Sequence, residues 1–196
     1  KNVTANHTIE AVFAKVEAKP TNPFVDVAEG TYYYDPVLWA VANGITSGVD
    51  ATHFEPEGTC TRAHAVTFLW RASGQPEPKT TNMPFRDVKP GSYYEKAVLW
   101  AVENKITNGT STTTFSPDEN CTRAQIVTFL WRSEGEPYAS DSNNPFTDIA
   151  SDYYMDAVFW AVKEGITNGT TPTTFSPNER CTRGQIVTFI YRAMAS

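Results

Sequence analysis

The chain has 196 residues and a mass of 21.7 kDa, with a net charge of -6 and a sequence pI of about 5.1. Its 40% hydrophobic and 13% aromatic content excludes a disordered acidic tail, which would hold more charge and fewer rings. The acidic balance argues against a general nucleic-acid binder or a basic membrane-surface protein, since both need a cationic face. No apolar run approaches the roughly 18 residues of a membrane span, so membrane insertion is not expected.

The chain opens in mid-phrase at Lys1-Asn2-Val3-Thr4 with no signal peptide, which suggests a fragment or a processed product. Residues 1–19 hold one short β-prone run, Thr8 to Phe13. They are predicted to be the tail of an upstream β-rich module.

From residue 20 the sequence repeats. Pro-Phe recurs at a constant step of 61 residues, from Pro23 to Pro84 to Pro145. Cys-Thr-Arg recurs at Cys60, Cys121 and Cys181. The units are 20–72, 81–133 and 142–196, joined by polar links. Each opens with Pro-Phe-x-Asp-(Val/Ile). In the second unit a helix is predicted from about Tyr93 to Asn104, because Tyr94, Ala97, Val98, Ala101 and Val102 fall on one face. Ile106-Thr107-Asn108-Gly109 then signals a turn. A Thr-rich loop leads to Phe115-Ser116-Pro117. A second helix is predicted from Thr122 to about Arg132, apolar over much of its circumference and so the more buried of the two. The fold class is mainly α: three helix–loop–helix units.

The start of the second helix is the most specific local signal. Thr122 with Gln125, and Thr182 with Gln185, match a capping box. The arginine between them does not explain itself, because a cation in the first helical turn opposes the macrodipole. Arg62, Arg123 and Arg183 repeat that placement three times. One explanation is a bound carboxylate or phosphate, gripped by free N–H groups and a guanidinium together. The other is an acid from a neighbouring unit, such as Asp87 or Asp148.

Taken together, the entry motif, Trp-Ala in the first helix, Ile-Thr-x-Gly, Phe-x-Pro and Thr-Arg-Ala-Gln-x-Val resemble the surface-layer homology (SLH) domain of bacterial cell-surface proteins. The resemblance covers residues 20–196. It implies one pseudo-threefold, three-pronged body with a central helix bundle. It further implies non-covalent anchoring of an exported protein to the cell wall, through inter-repeat grooves that bind an acidic, pyruvylated secondary cell-wall polysaccharide. By position, the ketal carboxylate falls to Arg62, Arg123 and Arg183. Thr61, Thr122, Thr182, Gln125 and Gln185 complete the expected ligand-binding set. A self-association module of a surface array is the rival reading. No enzyme activity, metal or cofactor is implied.

The departures from the family pattern carry further expectations. The usual Glu of the motif is His64 in the first unit and Gln in the others. The groove built on Arg62 is therefore expected to be the weakest, since Thr61 and His64 cannot cap reciprocally. His64 is expected to gain charge below about pH 6.5. Gly184 in place of Ala should fray its helix start. Replacing any of the three arginines by Ala is expected to leave the fold intact. Cys60, Cys121 and Cys181 read as buried thiols, because no paired cysteine spacing or converging His supports a metal. The Asn-x-Ser/Thr sequons at Asn108 and Asn168 read as turns. Asp26, Asp87 and Asp148 are predicted to cap the short turn after Pro-Phe.

Overall fold

The computed structural model describes residues 21–140, 144–150 and 152–195. The predicted strand in residues 1–19 lies outside them. Among the described residues six helices follow one another: α1 (Tyr34–Ala42), α2 (Arg62–Ala72), α3 (Glu95–Glu103), α4 (Arg123–Ser133), α5 (Met155–Lys163) and α6 (Arg183–Met194). Among the described residues the only β pairing is a few isolated bridges. None of these helices is long and apolar enough to cross a membrane.

Helix α3 starts at Glu95, two residues later than the predicted Tyr93. Tyr94 is buried as the residue before the helix and makes no side-chain cap. The three short helices end alike. Past α3, the Lys105 amide bonds the Val102 carbonyl and the Ile106 amide bonds the Ala101 carbonyl. That is the Schellman arrangement, and it drops Ile106 into the core. Lys105 takes the left-handed conformation (φ 58°), where the flanking units place Gly44 and Gly165.

The main helix pairings do not run within a repeat. Instead α2 pairs with α3, α4 with α5, and α6 returns to α1, while α2, α4 and α6 meet in the centre. Each spatial pair is thus built from two repeats, and the last repeat closes on the first. The closure shows at the axis. The Cys121 amide donates to the Cys60 carbonyl (2.8 Å), Cys181 to Cys121 (2.9 Å) and Cys60 to Cys181 (3.1 Å). This cyclic triangle of backbone bonds buries all three thiols completely. They are free cysteines, and burial pushes Cys60 and Cys181 up to about 12, well away from reactive thiolates.

The entry aspartates do something the sequence reading did not anticipate. Asp87 caps no local turn; its two carboxylate oxygens accept the Phe115 and Ser116 amides, at 2.8 and 2.7 Å. Asp148 grips Phe175 and Ser176, and Asp26 grips Phe54 and Glu55, in the same way. The second residue of each gripped pair has positive φ: Glu55 57°, Ser116 57° and Ser176 58°. Two charge-assisted bonds offset that backbone strain. They also fix the phenylalanine carbonyl, which matters next.

Candidate functional site

Arg62 leaves the first turn of α2 and crosses into the second repeat. Its Nε donates to the Phe115 carbonyl at 2.8 Å. Its guanidinium lies over the Phe115 ring at 4.7 Å and the Phe129 ring at 5.4 Å. Arg123 repeats this with Phe175 and Phe189, and Arg183 with Phe54 and Phe68. All three are buried, at 3%, 4% and 5% exposure. Each arginine is a peg joining its repeat to the next, so the expectation that Ala substitution would spare the fold does not survive. Removing one leaves a hole between two rings and an orphaned carbonyl.

The helix-start amides are not free, which corrects the proposed convergence of N–H groups on an anion. Arg62 N donates to the Glu119 carbonyl (2.8 Å) and Ala63 N to the Pro117 carbonyl (3.0 Å). The third amide, His64 N, goes to Thr61 Oγ1. The same three acceptors recur at α4 and α6. Thr61, Thr122 and Thr182 therefore serve as helix caps. Gly184 causes no visible fraying. Its helix keeps the full capping box, and a Cβ there would sit 3.1 Å from both the Pro56 carbonyl and the Tyr33 ring.

What remains for a ligand is the guanidinium itself. Among the described residues no carboxylate comes within ion-pair distance of Arg62, Arg123 or Arg183. Asp87 and Asp148, the neighbouring acids considered from sequence, are spent on backbone amides. Burial lowers the pKa of all three arginines, as expected for cations held out of water without an adjacent acid. Nη2 of Arg62 is buried and has no hydrogen-bond partner. In Arg123 the equivalent nitrogen reaches Thr167 Oγ1 at 3.2 Å.

Each guanidinium opens into a groove, with volumes of about 370, 280 and 380 Å³ for those of Arg62, Arg123 and Arg183. Three repeats contribute to every groove. Arg62 is joined by Asn108, Gln125 and Arg132 of the second repeat and by Tyr153 of the third. Arg123 is joined by Asn168, Gln185 and Arg192, and by Tyr32 of the first repeat. Arg183 is joined by Ser47, His64 and Arg71, and by Tyr93. His64 therefore does not share a groove with Arg62. It stands beside Arg183, and Arg62 faces Gln125. The missing reciprocal cap stays at the start of α2 beside Arg62, while the side chain responsible for it lines the Arg183 groove. Nor does His64 readily acquire charge. Burial and the nearby Arg183 push its pKa below the ordinary value, and the ring stacks on Phe68 and Tyr93.

Sequence reasoning missed the second arginine and the tyrosine of each groove. Arg71, Arg132 and Arg192 each hold a carbonyl just past the end of the preceding helix, Ile45, Ile106 and Ile166 respectively, and still line the cavity. Tyr32, Tyr93 and Tyr153 are about half exposed at the rim. Their signal in the sequence is recurrence, since six of the eight arginines sit in repeated columns, but the helix dipole by itself accounts for a last-turn arginine. The groove wall is shaped by an obligatory glycine. Gly109 has φ +78°, and a Cβ would lie 2.4 Å from the Thr114 carbonyl and 2.5 Å from the Phe85 ring.

Fold and site together define a binding module of three interleaved repeats, with one buried arginine and a second, more exposed arginine in each groove. The family model of the S-layer homology domain matches residues 23–66, 84–127 and 145–187, and the chain belongs to that family. It is 30% identical over 93% of its length to the surface-layer 125 kDa protein of Lysinibacillus sphaericus, of which it covers 16%. It is 25% identical over 88% of its length to the cellulosome-anchoring protein of Acetivibrio thermocellus, covering 39%. With an endoglucanase of a Bacillus species it shares 38% identity over 60% of the chain but only 12% of that enzyme. The chain thus spans well under half of each of these relatives. Cell-surface anchoring is the role of this module, and the bacterial cell surface is its location.

Proposed function

We propose that the chain anchors its protein non-covalently to the cell wall by gripping the acidic groups of a secondary cell-wall polysaccharide, pyruvate ketals foremost, in the three inter-repeat grooves. The observation that carries this reading is the Arg62 guanidinium: buried, without an acid partner, and with Nη2 unpaired at a groove wide enough for a sugar. A carboxylate about 4 Å from such a cation returns about 4 kcal/mol at an effective dielectric of 20. Arg132 adds a second cation, the Tyr153 ring offers a face for a pyranose, and Asn108, Thr110 and Gln125 offer hydroxyl partners. The net charge of -6 opposes general attraction to polyanions, so recognition rests on these focused sites.

Co-sedimentation with purified cell walls tests the reading. Binding is expected to intact walls and to vanish when the acidic polysaccharide is stripped or its ketals are hydrolysed. Undiminished binding to stripped walls would sink it. Pelleting without any wall would favour self-association of a surface array.

A further inference from the structure

The three grooves are not three copies of one site. Those of Arg62 and Arg123 carry the same residue type at every lining position they share, from Asn108/Asn168 and Gln125/Gln185 to Arg132/Arg192. The Arg183 groove keeps the cation pair, the threonine, the phenylalanine and the tyrosine. It replaces Asn by Ser47, Thr by Val49 and Gln by His64.

These exchanges share one chemical direction. Two carboxamides, each offering donors and acceptors, are gone. Thr110 belongs to a hydroxyl relay, 2.6 Å from Ser116 Oγ and 3.1 Å from Thr114 Oγ1, and Thr170 repeats it with Ser176 and Thr174. Val49 cannot join such a relay, and its isopropyl group is 47% exposed at the groove. His64 stacks on Tyr93 (centroids 5.8 Å, planes 25° apart) and on Phe68 (6.4 Å, 22°). The ring thus prolongs an aromatic wall. A free sugar hydroxyl facing Val49 and a ring face would lose its partner from water without replacement. A methyl or acyl group would bury apolar surface in the same place.

We propose that the Arg183 groove selects an acidic sugar whose neighbouring hydroxyls are acylated, while the Arg62 and Arg123 grooves select the same sugar with those hydroxyls free. Ser47, Val49 and His64 are the specificity-determining residues. The proposal rests on the acidic-glycan reading above and refines it. It gives one module two complementary preferences for a partly acetylated wall polymer.

Titration calorimetry on the full chain, with two synthetic probes, tests it. One probe is a pyruvate ketal of methyl mannoside with its remaining hydroxyls free; the other has those hydroxyls acetylated. The free probe should fill two sites and the acetylated probe one, each preferred about tenfold, or about 1.4 kcal/mol. The His64 ring resonances should respond to the acetylated probe alone. The variant S47N/V49T/H64Q, altered at exposed or half-buried positions, should bind the free probe at three sites. The reciprocal N108S/T110V/Q125H should raise the acetylated sites to two, which keeps the test intact if either variant folds poorly. Three equal sites for the free probe, or stoichiometries unchanged in a folded variant, overturn the selectivity while leaving the acidic-glycan reading standing. If neither probe binds, both fall.

Discussion

The starts of α2 and α4 differ in their caps yet place the same arginine on the same kind of backbone acceptor. At α4 the Thr122 side chain accepts from Gln125 N and the Gln125 side chain reaches back to Thr122 N. At α2 only the first of these bonds forms, because His64 stands where Gln125 does. Yet Nε of the arginine that follows is held alike, on a phenylalanine carbonyl at 2.8 Å in both, while only Arg123 also sets Nη2 on a threonine hydroxyl. The first-turn amides find the neighbouring repeat's carbonyls at 2.8 and 2.9 Å. The local cap is thus secondary. The arginine is aimed by the loop of the next repeat, and that loop is fixed by the next repeat's own entry aspartate.

The comparison can be broken most forcefully at Arg62. Arg62→Ala should lower unfolding free energy by about 3–4 kcal/mol, combining a cavity with an orphaned carbonyl. Arg62→Met fills the space and removes a buried charge that lacks an acid partner. It should cost about 1 kcal/mol, yet abolish ligand uptake in that groove. Urea melts and wall binding on both variants separate the peg from the ligand group, and equal destabilisation would show that the charge itself holds the fold. Asp87→Ala should follow, at about 3 kcal/mol, since two charge-assisted bonds and the positive-φ Ser116 lose their anchor. A smaller loss than any cap mutant suffers would return priority to the caps.

Thr122→Ala and Thr182→Ala should each cost about 1 kcal/mol, and Thr61→Ala less, because α2 lacks the reciprocal bond. A thermal-melt series over the three threonines measures the ranking directly. The smallest effect is at His64. The folded ring binds its proton less readily than the unfolded chain does, so below about pH 6.5 protons load the unfolded state first and stability declines with falling pH. Above that range the contribution is complete. His64→Gln should flatten this part of the stability–pH profile and, by restoring the capping box, gain about 0.5 kcal/mol. An unchanged acid slope would mean that other groups set it.

Much of this architecture is written in the amino-acid order. The 61-residue recurrence is visible by self-comparison, and the 3.6-residue stripes of α3 and α4, the Asn-Gly turns and the Thr-x-x-Gln caps each depend on neighbours a few positions apart, so such local rules survive into the fold. The one anomaly worth noticing, an arginine placed against the helix dipole three times, was legible as well. Only the tertiary structure decided the partners. A repeat makes Arg62, Arg123 and Arg183 equivalent, but it carries no information on which neighbour each one meets. The direction of interleaving sends Arg62 to Gln125 and Tyr153, and Arg183 to His64 and Tyr93. Asp87 could reach the Phe115 and Ser116 amides, 28 and 29 residues on, only once the loop had folded back over its own repeat's entry. Packing of three repeats into a closed ring selects these contacts, because each helix can bury its apolar face only against the repeat beside it.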